Sequence, residues 1–102
     1  MNTSRVRIPE ISSLETAIRL YYEKIELGNK EIKELFRNIG YKKATALKEV
    51  AKQKMNENDV PQWNALRVNT KTAYEAWGLN IDDLERRYRK LQKLSLIQGG
   101  VT

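Results

Sequence analysis

Between Asn29 and Lys54 the chain reads NKEIKELFRNIGYKKATALKEVAKQK, a spacing that confines it to two short amphipathic helices joined by a turn. Ile32, Leu35 and Phe36 share one face of the first helix, and Asn29 is placed to cap its free N–H groups. The pattern weakens near Asn38, and Gly40 supplies a permissive backbone for the turn. From about Lys42 to Met55 a second helix turns Leu47, Val50, Ala51 and Met55 inward, leaving Lys42, Lys43, Thr45, Lys48, Glu49 and Lys52 toward solvent. Five lysines in that helix face a single Glu49.

A solvated helical hairpin would show the same periodicity. The order of parts suggests more: a short helix, a turn and a second helix opening on Lys-Lys-Ala-Thr make a helix-turn-helix, in which the start of the second helix reaches base edges in the major groove. Tyr41, Lys42, Lys43, Thr45 and Lys48 are therefore the candidate readers of double-stranded DNA, with Lys52 and Lys54 adding general affinity from later turns.

The residues Lys30-Glu31-Ile32, Leu35-Phe36, Ile39 and Ala44-Thr45-Ala46-Leu47-Lys48 resemble small helix-turn-helix proteins of phages and mobile elements. Farther on, Val60-Pro61, the stretch Asn64 to Asn69 and Thr72-Ala73-Tyr74-Glu75-Ala76-Trp77 follow in an order similar to the excisionase-like branch of winged-helix proteins. That resemblance covers roughly Asn29 to Gly78. It implies a brief β-hairpin wing after the recognition helix and a role as a transcriptional regulator or recombination factor.

Composition narrows the alternatives. With 102 residues the chain has room for one small core, and 19 Lys plus Arg against 13 Asp plus Glu leave a net charge of +6, which favours a polyanionic partner. No histidine or cysteine is present, so the commonest general base, the thiolate nucleophile and the usual zinc ligands are missing. Asp82, Asp83 and Glu85 suit the start of a helix, where negative charge meets the positive end of the dipole, better than a carboxylate site. No enzyme, metal or cofactor is expected. Neither a bilayer-spanning apolar run nor a signal-peptide core is visible, so the expectation is a cytoplasmic protein with no membrane partner.

The expected architecture is mainly all-α: a three-helix helix-turn-helix core, room for a small β wing, and two C-terminal helices. Ser12 and Glu15 make a capping-box pattern ahead of a helix from about Ser13 to Leu27, whose stripe is Leu14, Ala17, Ile18, Tyr21 and Ile25, and Gly28 ends it. Residues 56–69 fit either a wing, bringing Gln62 and Arg67 to a sugar-phosphate backbone, or a connector in which Trp63 and Leu66 cap the core. Asn69 and Gly78 bracket a short helix that turns Ala73 and Trp77 inward, and Asn80 caps the last helix. There Ile81, Leu84, Tyr88 and Leu91 form a seam suited equally to packing on the domain or to a homodimer. Residues 1–10 and 98–102 read as flexible tails around a single domain at 11–97. Two further function classes fit the same features: a small terminase-like DNA-packaging subunit, and a basic helical module that binds an acidic protein.

Overall fold

The computed structural model describes the backbone of residues 6–101 and the side chains of residues 6–95. In order, the elements are α1 (Leu14–Glu23), β1 (Glu26–Leu27), α2 (Asn29–Leu35), α3 (Tyr41–Glu57), β2 (Val68–Asn69), α4 (Thr70–Ala76) and α5 (Ile81–Val101). The fold is mainly α with one small antiparallel sheet, as the periodicities predict.

Ser13 rather than Ser12 caps α1, its Oγ accepting from the Thr16 N–H at 3.0 Å. Ser12 is drawn away because its own hydroxyl donates to the Glu34 carbonyl at 2.8 Å, and Glu15 instead accepts from the Tyr88 hydroxyl at 3.3 Å. The segment before α1 is no loose tail from residue 6 onward. Ile11 bridges Phe36, the Arg37 N–H donates to Glu10 O at 2.9 Å, and Val6, Ile8 and Ile11 pack on the core. Residues 1–5 lie outside the described residues.

Helix α1 stops at Glu23, four residues short of the expected Leu27, because Lys24 turns extended and the chain enters β1. The expected stripe breaks there: Ile25 is exposed, while Leu27 is fully buried. Strand β1 pairs with β2 in the register Glu26↔Asn69 and Leu27↔Val68, so the entire α2–α3 unit lies between the two strands. The expected hairpin after α3 is absent among the described residues. A single strand returns to pair with the chain that precedes α2.

Gly28 therefore does not end α1 but precedes α2 in an extended conformation, displacing Asn29 from the capping position to the first helical residue. In place of a side-chain cap, the Glu31 carboxylate accepts from the Gly28 N–H at 2.9 Å. The turn after α2 relies on Asn38, at φ 53°, rather than on Gly40, which stays at φ −96°. Asparagine tolerates the left-handed region better than other non-glycine residues. Helix α3 then runs 17 residues and buries Ala44, Leu47, Ala51 and Met55.

Four aromatic residues tie the helices together. Tyr74 donates its hydroxyl to Ala17 O at 2.6 Å, and the Trp77 indole N–H donates to Leu47 O at 2.9 Å, so α4 is anchored to α1 and α3 by buried polar contacts. Phe36 meets Trp77 edge-on at 5.3 Å, and Tyr21 lies 5.1 Å from Tyr74. Asn69 caps α4 through Thr72, Gly78 closes that helix at φ 73°, and Asn80 caps α5 through Asp83, all as the sequence predicts.

The last helix extends through Val101, so the expected tail from residue 98 is helical up to that point, and Thr102 lies outside the described residues. Its seam divides. Leu84 is buried and Ile81 and Tyr88 are partly buried by packing on α1, whereas Leu91 and Leu94 are more than half exposed. No helix among the described residues is long and apolar enough to cross a membrane.

Candidate nucleic-acid interface

Gly40 takes an extended conformation ahead of α3, and the first two residues of that helix, Tyr41 and Lys42, are open to solvent. Tyr41 is 68% exposed, Lys42 is exposed, and Lys43 and Thr45 are half-buried. The Thr45 hydroxyl accepts from Asn29 Nδ2 at 3.4 Å, a contact that fixes the start of α2 beside the start of α3. About two turns later Lys52 is half-buried and pairs with Glu49 at 3.4 Å, and Lys54 approaches Glu75 at 3.9 Å.

Lys48 departs from its expected place. It is buried rather than solvent-facing, and its Nζ donates to the Leu66 carbonyl at 3.3 Å. The pairing of β2 with β1 draws residues 64–67 back across α3, and the lysine stem is covered while its ammonium reaches the nearest carbonyl. Lys48 is thus a strut for the loop, and its assignment as a base-reading residue is withdrawn.

A groove opens between the start of α2, the start of α3 and this loop, lined by Asn29, Lys30, Tyr41, Lys48, Leu66 and Arg67. The fold thereby gathers Tyr41 and Lys48 of α3 with Arg67 of the loop before β2, and adds Lys30 of α2, which the periodicity did not single out as a site residue. Lys42, Lys43, Thr45 and Lys52 continue along α3 outside the groove lining. Lys30, Lys42, Lys43 and Arg67 have no ion-pair partner among the described residues.

Glu31 lies in the same groove wall, and its carboxyl is held below its ordinary pKa. Burial, the largest single influence, pushes the value up. The hydrogen bonds from the Gly28 N–H and its own N–H, together with the positive charges of Arg67 and Lys24, outweigh it. The carboxylate is therefore ionised at neutral pH and turned into the α2 terminus.

A second cationic surface lies on α5. Arg86 and Arg87 both pair with Asp83, at 3.4 and 3.1 Å, while Arg89, Lys90 and Lys93 are exposed and lack ion-pair partners among the described residues. This helix packs on α1, away from the open turn of α3.

Trp63 and Leu66 were the residues least readable from sequence. As a connector they should cap the core, yet they are 77% and 72% exposed. The local signal was the polar punctuation of Pro61, Gln62 and Asn64 around them, which marks a structured turn but not the direction of its apolar side chains.

Comparison with models of known protein families, with curated proteins and with solved structures gives no match.

Proposed function

We propose that the chain binds duplex DNA by laying the start of α3 in the major groove. Tyr41, Lys42, Lys43 and Thr45 face the bases and nearby phosphates, while Lys30, Lys52 and Arg67 contact the sugar-phosphate backbone. The observation that carries this reading is the excess of cations at the start of α3 and in the groove beside it, where Lys30, Lys42 and Lys43 lack ion-pair partners among the described residues and Glu31 offsets only Arg67. A surface with more cations than carboxylates attracts a polyanion and releases its counterions on contact. In keeping with the motif's resemblance, the role is that of a transcriptional regulator or recombination factor of phage or mobile-element type, acting in the cytoplasm.

Fluorescence anisotropy with a short labelled duplex tests the assignment. The Lys42→Glu/Lys43→Glu variant should weaken binding by on the order of a hundredfold, because two attractive charges become repulsive toward phosphate. The matching Lys90→Glu/Lys93→Glu change on α5 should leave most of the affinity intact. Equal loss from both variants would show a diffuse charge effect and overturn the α3 assignment.

A further inference from the structure

The loop from Pro61 to Arg67 holds two large apolar side chains in water. Trp63 and Leu66 are 77% and 72% exposed, although Val68, two residues beyond, is fully buried. A slack loop would fold such groups onto the body. This one is braced. The two N–H groups of Gln62 Nε2 are shared among the carbonyls of Asn64, Ala65 and Arg67, which lie at 3.4, 3.4 and 3.3 Å, and Asn64 Oδ1 accepts from the Leu66 N–H at 2.8 Å. The Arg67 N–H donates to Asn64 O at 3.1 Å, and the buried Lys48 ammonium holds the Leu66 carbonyl from below.

Such bracing removes much of the ordering cost that a mobile loop would meet on binding. The chemistry bordering Leu66, three residues on from Trp63 in the same braced loop, indicates what the pair meets. Leu66 shares a groove wall with Arg67, Lys30, Tyr41 and the Glu31 carboxylate; Lys30 has no ion-pair partner among the described residues, and Arg67 feels the charge of Glu31 without an ion pair at contact distance, so the wall stays net cationic. Exposed apolar and aromatic surface beside a net-cationic groove complements a partner that is anionic at its backbone and flat and apolar within. Nucleic-acid bases between phosphates meet both requirements, and apolar side chains driven into a base step unstack it and kink the duplex.

We infer that Trp63 and Leu66 form a rigid wedge that enters the base stack beside the stretch contacted by α3, so that binding bends the DNA. This rests on the duplex-binding function proposed above and adds a mechanical consequence to it.

The test uses the full chain and a short duplex carrying end-placed donor and acceptor dyes, with a parallel duplex containing 2-aminopurine. Binding should raise energy transfer between the ends and raise 2-aminopurine fluorescence as a step unstacks. Trp63 emission should be quenched, and it is separable from that of Trp77, whose indole is buried against Leu47 O. The Trp63→Ala/Leu66→Ala variant should keep its thermal midpoint, since both side chains are exposed. It should lose both DNA signals, with affinity reduced on the order of tenfold or more. Trp63→Phe should retain part of each signal.

A wild-type chain that binds duplex but leaves it straight and stacked overturns the wedge while leaving duplex binding in place. So does a double variant that bends DNA as the wild type does. Failure of the wild type to bind any duplex at low salt overturns the wedge together with the function it rests on.

Discussion

Lys48 distinguishes a structural role from a DNA-reading one at a single position. In Lys48→Met the methionine keeps an unbranched apolar stem in the covered slot but removes the ammonium that holds the Leu66 carbonyl at 3.3 Å. Hydrogen bonds to charged groups contribute about 1.5–3 kcal/mol. This contact is long and its acceptor belongs to an exposed loop, so the loss should fall at or below the lower end, about 1 kcal/mol. For a domain of this size that corresponds to a fall in thermal midpoint of roughly 4–8 °C, measurable by circular dichroism or calorimetry. Because the ammonium already serves the loop carbonyl, the slope of log affinity against log salt should be unchanged. An unchanged midpoint combined with a salt slope shallower by about one would refute the strut and return Lys48 to the DNA surface.

The divided seam of α5 makes its own prediction. Leu84→Ala should destabilise the domain by about 2–5 kcal/mol, as a buried core truncation does, whereas the exposed Leu91→Ala should change stability by no more than about 0.5 kcal/mol. Chemical denaturation checks both, and equal costs would place Leu91 in a buried contact such as a homodimer, which the mass in solution would reveal. Glu31 sets a pH dependence. Its folded pKa lies below its unfolded value, so its contribution to stability is fully present above the unfolded pKa and is lost as the pH falls through the folded one. Glu31→Gln should flatten that acid limb of stability against pH, and a limb of unchanged steepness would contradict it.

The sequence was most informative where local chemistry decided the outcome. The helical stripes of α2 and α3, the Asn69 and Asn80 caps and the Gly78 stop all rest on contacts within a few residues, and the structure contains each of them. It was least informative where distant segments compete. Helix propensity continues through Ile25, but pairing with Val68 and Asn69 pulls the chain into a strand there, and no window around Ile25 contains that partner. The same pairing carries the loop over α3 and buries Lys48, so one long-range contact changed both an element boundary and the role of a site residue. Gly40 and Asn38 show a subtler exchange, since both residues suit a turn and only the geometry between α2 and α3 decides which takes positive φ.

The most direct measurement is the affinity of the full chain for duplex DNA across a salt series. Lys30, Lys42, Lys43 and Arg67 are four cations around the open end of α3 that lack an ion-pair partner among the described residues and whose head groups are not already held by a backbone carbonyl as Lys48 is. At about 0.9 released counterions per phosphate contact, they predict log affinity falling with log salt at a slope of roughly −3 to −4. A slope in that range that becomes shallower by about two in Lys42→Ala/Lys43→Ala is the expected result. Binding that is absent at low salt, or that persists with a slope near zero, would contradict the assignment of this surface to DNA.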